Sequence, residues 1–459
     1  MALSPVAISV LARSLAEGKT SSRGLVEEAL ARIADASGEG GRVFTKVHAQ
    51  SALAAADASD RLRRQGVVPS PLAGLPVSVK DLFDVAGDVT TAGSTVLRDR
   101  PPAAVDAPAV ARLRAAGAVV IGRSNMTEFA FSGIGINPHY GTPANPWDRA
   151  SRRIPGGSSS GAAVSVSDGM AAFALGTDTG GSVRIPAALC GVAGFKPTTS
   201  RVPREGAFPL SRTLDSIGPL APTVACCAAV FQVVAGDAAR ALAAADLARM
   251  RLGVPKNHAL DDLDVEVADA FQSALQRLSR RGAKIVDVEV PELTEAARAS
   301  AGGGISPPEA YAVHRRWIDR EREIDPRVLE RILRGGSVSA PDYIDLLTTR
   351  ELLMKRFARP RYDVNALIMP TVPRVAPAIE GLERSAEAFR VANGNMLRNT
   401  SVINFLDGCA LSLPIQAPRS APVGMMVVGF AGEDERVLSA GLAIEAALAY
   451  QGPVLVDAR

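Results

Sequence analysis

Histidine is scarce in this sequence. His48, His139, His258 and His314 are the only four in 459 residues, and no two stand at the spacing that puts two ligands on one helix face. HExxH strings and CxxC pairs are absent too, so neither a metal-dependent hydrolytic site nor any other cofactor is expected. Cysteine is equally thin: Cys190, Cys226, Cys227 and Cys409. The adjacent pair is poor disulfide geometry, and the expectation is reduced, buried thiols in a cytoplasmic protein. Aromatics make up 4% of the chain, so the core is expected to pack through small and aliphatic side chains. No run reaches the roughly 18 apolar residues that a membrane span needs. The apolar stretch 7–12 has no basic residue before it and is broken by Arg13, Glu17 and Lys19, unlike a secretory leader. An excess of one charge is also missing. Against 51 basic residues stand 48 acidic ones, with no basic stripe interleaved with aromatics, so nucleic acid is not an indicated partner. Neither a GxxxxGK[ST] loop nor a GxGxxG between strand and helix occurs, which excludes the common phosphate cradles.

What the sequence does contain is an alternation of helical and strand patterns, the mark of an α/β fold. Residues 5–36 predict two amphipathic helices, with an N-cap for the second in Thr20-Ser21-Ser22. A third helix is expected over 48–66. The apolar segment 75–80 reads as a strand that ends on Lys80. A helix over 107–116 and a buried strand over 118–122 follow, then an irregular Pro/Gly/Ser-rich stretch, 140–161. An Ala-rich helix is predicted over 161–173 and a second glycine loop over Gly176–Ser182. Further strands are expected at 251–255, 283–290, 366–370 and 423–428, with helices at 264–281 and 434–449. The expected organisation is one domain over 1–459. It has N-terminal helices (1–65), a catalytic core (66–250), a peripheral helical elaboration (255–360) and a return to the core sheet (361–459).

Two serine-rich loops carry the chemistry. Gly157-Ser158-Ser159-Ser160-Gly161 matches a GxSxG string centred on Ser159, but a nucleophile elbow needs an apolar strand directly before it. Here Arg149 to Pro155 precede it. A partner histidine would have to be His258 or His314, both in charged, surface-like sequence surroundings. One of serines 158–160 is expected to cap the following helix. In the second loop, Gly180-Gly181 stands directly before Ser182, where closely spaced backbone N–H groups suit an oxyanion hole.

Taken together, the stretch from Gly156 through Ser158, Asp178, Ser182 and Arg184 to Thr198 resembles the amidase signature family. The lysine strand 74–81, the segment 122–129, Met369-Pro370-Thr371 and the 422–424 strand extend the likeness over nearly the whole chain. The resemblance implies a large mixed β-sheet flanked on both faces by helices. It makes Ser182 the nucleophile, Ser158 a bridging serine reached through a cis peptide from Gly157, and Lys80 the base. The implied oxyanion hole is the backbone of Thr179, Gly180, Gly181 and Ser182. Ser159, Asp178 and Arg184 are implied in support, and Phe129, Ala130, Phe131, Ser132 and Gly133 as the acyl pocket.

Elementary chemistry agrees with these roles. A serine hydroxyl needs a base to become nucleophilic. Lysine at its ordinary pKa of about 10.4 is no base, but burial at the end of an apolar strand lowers that value. The implied activity is hydrolysis of a small-molecule amide, and by the same acyl-enzyme an ester or carbamate, in a monomer or homodimer. The alternatives are an amidase subunit of a tRNA-dependent amidotransferase, which usually carries Gln where this chain has Ile185, and a Ser-His hydrolase built on Ser159.

Overall fold

The computed structural model describes residues 5–238, 240–358 and 362–448. Eleven strands form one mixed sheet: β1 (Phe44–Val47), β2 (Pro76–Lys80), β3 (Val119–Ser124), β4 (Phe173–Asp178), β5 (Ala193–Lys196), β6 (Ser216–Ala221), β7 (Arg251–Pro255), β8 (Lys284–Val288), β9 (Ala366–Pro370), β10 (Cys409–Pro414) and β11 (Gly424–Gly429). Their spatial order is β1-β3-β2-β4-β6-β5-β10-β11-β9-β7-β8. The central strands are apolar on both faces because helices cover both. Along β10, Leu411 and Leu413 enter one core layer while Ala410 enters the opposite one, and β11 divides Met425 and Val427 from Met426 and Val428 in the same way. Burying each of these larger side chains contributes about 1.5–3 kcal/mol. The edges carry charge instead. Lys46 on β1 and Lys284 on β8 are exposed, which discourages further strand pairing.

Most predicted elements are present within two or three residues. The second helix, Ser22–Ala34, is capped by Ser21, whose side chain accepts from Gly24 N–H. The helix predicted over 161–173 is shorter, Ser160–Ser167. Gly169 adopts a left-handed φ of 65° just after it, and Phe173 already belongs to β4. The predicted loop over Gly176–Ser182 is likewise half strand, since Gly176, Thr177 and Asp178 complete β4. Ser159 is the N-cap residue of the Ser160 helix, yet its side chain makes no capping bond. Its hydroxyl leans instead toward Thr177 O, at 3.4 Å. Strands β1, β4, β5, β6 and β10 and, among others, the helices Arg184–Cys190, Val224–Ala235 and Ala386–Phe405 were not predicted. Within the segment 255–360, the strand expected over 283–290 is present as the edge strand β8. The closing helix runs Asp434–Ala447; Ala449, in its predicted span, lies outside the described residues. All four cysteines are buried free thiols, and no helix among the described residues is long and apolar enough to cross a membrane.

One piece of topology places the site. β2 and β4 are parallel neighbours, with Val79 opposite Leu175. Their carboxyl ends therefore share one edge of the sheet, where α/β folds hold their ligands. Lys80 closes β2 and Asp178 closes β4, so the lysine arrives beside the loop that carries Ser182.

Candidate active site

Lys80 has no exposed surface. Its ammonium donates to Ser158 Oγ at 2.8 Å and to Thr177 Oγ1 at 2.9 Å. Burial lowers its pKa to about 7, while Asp215 and Asp178 oppose the shift. The Gly157–Ser158 peptide is cis, and Ser158 O accepts from Thr127 N–H at 3.0 Å. Ser159 N–H donates to Ser182 O at 3.2 Å, which ties the two serine loops together. Ser182 lines a cavity of about 550 Å³, together with Thr179 and Gly180. Among the described residues its hydroxyl makes no hydrogen bond, so it is open to that cavity, while Ser158 and Lys80 are fully buried.

The loop between Asp178 and Arg184 is held from below. Both side chains are fully buried, and Arg184 donates to Asp178 through Nε at 3.0 Å and Nη2 at 2.8 Å. Asp178 also accepts the N–H groups of Gly181 at 2.9 Å and Val183 at 3.1 Å. Burial alone would raise its pKa; the charge and hydrogen bonds of Arg184 outweigh that and hold it well below the usual carboxylate range. The bond from Gly181 changes the expected oxyanion set. Gly181 N–H is turned onto Asp178, whereas those of Thr179, Gly180 and Ser182 donate to no group among the described residues. Gly181 is there for its shape, with φ 130°, and an added Cβ would come 2.2 Å from Thr400 Oγ1.

Sequence reasoning missed four contributors. Thr177 is the second acceptor of Lys80. Thr400 Oγ1 donates to Gly180 O at 2.6 Å, and Asn404 Nδ2 donates to Asp178 Oδ1 at 2.9 Å. Asp215 accepts from Thr179 Oγ1, and burial raises its pKa to about 6 against that bond. The polar spacing Asn393, Thr400, Asn404 on one helix was the available signal, because steps of seven and four put all three on one face.

The predicted acyl pocket divides. Ala130, Phe131 and Ser132 line the cavity; Phe129 and Gly133 do not. Phe129 turns into the core, 4.2 Å from the His314 ring and 5.9 Å from Phe208, centre to centre. Gly133 N–H is bound by Asn393 Oδ1 at 2.8 Å. His314 is therefore no surface residue. It is enclosed by aromatic rings, and burial holds its pKa down at about 3. His258 meets Arg398 O at 3.1 Å. Neither histidine bonds Ser159 or Ser182 among the described residues.

Comparison with known families now decides the affiliation, since the family model described as Amidase matches residues 24–438. The chain belongs to the amidase family. This amidase is accordingly a hydrolase of carbon–nitrogen bonds, on the α/β fold with a large mixed sheet. It is 39% identical to the 2-amino-5-chloromuconic acid deaminase of Comamonas testosteroni, over 89% of this chain and 88% of the relative. It is 35% identical to a glutamyl-tRNA(Gln) amidotransferase subunit of Anaeromyxobacter sp. strain K, covering 93% and 92%. Among solved structures, the amidase resembles a crystal structure of an amidase with a TM-score of 0.86 at 34% identity, covering 96% of this chain and 99% of the other.

Proposed function

We propose that the enzyme cleaves a small-molecule amide through an acyl-enzyme on Ser182, with Ser158 and Lys80 as the proton relay. One observation carries this reading: the Lys80 ammonium is fully buried, is 2.8 Å from Ser158 Oγ, and titrates near neutrality. Neutral Lys80 takes the Ser158 proton as Ser158 takes that of Ser182. Ser182 Oγ bonds to the carbonyl carbon, and the electron pair displaced onto oxygen meets the unengaged N–H groups of Thr179, Gly180 and Ser182. Collapse of this intermediate breaks the C–N bond, and the proton held by the relay returns through Ser158 to the leaving nitrogen. Water then repeats the sequence on the acyl-enzyme and releases the acid. Esters and carbamates form the same kind of intermediate and fall within the reading. The Ser182–Ser158 hydrogen bond forms in the substrate complex, as catalytic contacts often do.

The relatives named as amidotransferase subunits support a second reading, in which the chain works with a partner. Ile185 weighs against it. Its side chain is buried in an apolar cluster with Ile134, Ile136 and Ile154 and is not part of the cavity wall. A fluorophosphonate probe followed by peptide mapping separates the readings. The expected label is on Ser182, with amide turnover by the purified chain alone and none by Ser182→Ala. A label on Ser159 overturns the relay, and turnover only with an added partner favours the second reading.

A further inference from the structure

The helix Ala386–Phe405 presents Asn393, Leu397 and Ser401 to the cavity, each four residues from the next and so on one face. Its second half meets the oxyanion loop. Thr400 Oγ1 donates to Gly180 O at 2.6 Å, and Leu397 packs against the same glycine, where an added Cβ would come 3.3 Å from Leu397 Cδ2. Asn393 lies seven residues before Thr400, or about 10 Å back along the helix axis. It therefore faces a part of the cavity set back from the reacting edge.

The carboxamide of Asn393 is held in one orientation. Gly133 N–H can only donate, so the carboxamide atom 2.8 Å from it is the oxygen. The Ser132 hydroxyl donates to the same oxygen at 3.1 Å. With Oδ1 fixed on the 132–133 segment, Nδ2 is turned away from it. Nδ2 makes no hydrogen bond among the described residues, although only 3% of Asn393 is exposed. The small exposed part belongs to a residue that lines the cavity.

A carboxamide nitrogen donates and cannot accept. Phe389 and Leu397, one turn to either side of Asn393 on the same helix, line the cavity with apolar surface. A donor in such surroundings discriminates. An acyl chain that brings an acceptor to it gains a hydrogen bond, and a pure hydrocarbon chain that covers it leaves it unpaired. Charge is not needed, because a neutral carbonyl oxygen satisfies a neutral N–H without the desolvation cost of an ion. The bonds from Ser132 and Gly133 tie Asn393 to the segment that the family resemblance makes the acyl pocket, so the oxygen belongs on the acyl side of the substrate.

We propose that Asn393 is a specificity-determining residue of the acyl pocket and donates through Nδ2 to a neutral carbonyl oxygen on the acyl chain, several carbons from the scissile amide. The substrate class is then an oxoacyl amide, whose chain carries a second carbonyl beyond the one that is cleaved. The proposal rests on the amide-hydrolase reading above.

Two matched series of p-nitroanilides test it: straight-chain acyl groups of increasing length, and the same chains with one methylene replaced by a keto group stepped from carbon to carbon. Wild type is expected to favour the keto member in kcat/KM by about 3- to 10-fold at one position along the chain, the range of a neutral hydrogen bond. Inductive activation of the scissile carbonyl fades steadily with distance and gives no such peak. Asn393→Asp keeps an oxygen to accept from Gly133 and Ser132 but replaces the donor with a second acceptor. In that protein the ratio at the peak falls to one or below, with the loss carried by KM. Calorimetric titration of Ser182→Ala protein with the best keto substrate reads binding without turnover. Binding is expected to weaken about 3- to 10-fold in the Ser182→Ala/Asn393→Asp protein. A flat wild-type profile overturns the site on its own, even where the variant does not fold. A peak that survives Asn393→Asp, or binding indifferent to Asn393, overturns it too, and in each case hydrolysis of the plain acyl anilides leaves the hydrolase reading standing. Asn393-dependent binding without hydrolysis of any anilide supports the site and sinks the hydrolase reading instead.

Discussion

Two lysines in this molecule are buried without exposed surface, and each sits at the end of a strand: Lys80 on β2 and Lys196 on β5. Burial pushes both pKa values down. Their partners differ. Lys196 donates to two backbone carbonyls, Pro197 O at 2.8 Å and Gly408 O at 2.9 Å, which can only accept. Lys80 donates to two hydroxyls, which can accept or donate and so serve the ammonium and the amine alike. Carbonyls fix a lysine as a structural cation, whereas hydroxyls leave it free to exchange a proton. Burial is common to both lysines; the type of acceptor is what distinguishes the proposed base from its counterpart.

The sharpest way to break this contrast is to exchange the two sites' losses. Lys80→Ala is expected to lower kcat on amides by about 10²–10⁴-fold with the fold intact. Lys80→Arg should not restore it, because a guanidinium stays protonated. Lys196→Met should keep the wild-type kcat per folded molecule. A fall in steady-state kcat as deep as that of Lys80→Ala, in folded protein, would remove the distinction.

Stability should divide the other way. Lys196→Met leaves the buried carbonyls of Pro197 and Gly408 without their donor, at a cost of about 1–3 kcal/mol each. A urea melt reads this as a lower midpoint with an unchanged slope. No change in midpoint would mean that the two bonds contribute nothing.

The next effect is in the pH profile. In the proposed relay Lys80 must lose its proton before it can act, so kcat/KM should rise about tenfold per pH unit in acid and level off above its pKa of about 7. Stability carries the same signature. With a folded pKa near 7 and a free value of 10.5, the unfolded chain binds more protons between those values. Wild type should therefore gain stability relative to Lys80→Met as pH rises through that window. A pH-independent difference between their melts would contradict a depressed Lys80.

The smallest effect separates the neighbouring carboxylates. Asp215 raises the pKa of Lys80, and Asp407 raises that of Lys196. Asp215→Asn should move the acid limb of the rate profile to lower pH by less than about one unit, and Asp407→Asn should leave it in place. A shift in the opposite direction for Asp215→Asn would mean that this carboxylate does not act on Lys80 by charge.

The sequence exposed this site unevenly, for physical reasons. Glycine–serine loops and an apolar strand ending on lysine are local patterns, so Lys80, Ser158 and Ser182 were legible as candidates, as were β2, β3, β7, β8, β9 and β11. Thr400, Asn404 and Asp215 reach the site only through tertiary packing, from elements more than thirty residues away from Asp178. The helix Ala386–Phe405 escaped notice because its buried face is partly polar, with Asn393, Asn399, Thr400 and Asn404, which blurs the hydrophobic period. β5 and β6 were hidden by glycine and proline inside short strands, residues that ordinarily argue against a strand interior. His314 sits in a charged stretch of sequence, and only the fold encloses it between Phe129 and Trp317.

The cavity is assembled from stretches of chain far apart in sequence. Its reacting edge comes from 130–132 and 179–182, and much of its opposite wall comes from 300–334 and 386–405. The reacting edge is tied to the sheet by the fully buried Arg184–Asp178 pair, and the helix Pro326–Arg334 is held by Val328 and Ile332 and by the Arg327–Asp325 pair at its start. Substitutions at positions 327, 331 and 334 therefore alter the cavity wall while leaving the strands that carry Lys80 and Asp178 untouched.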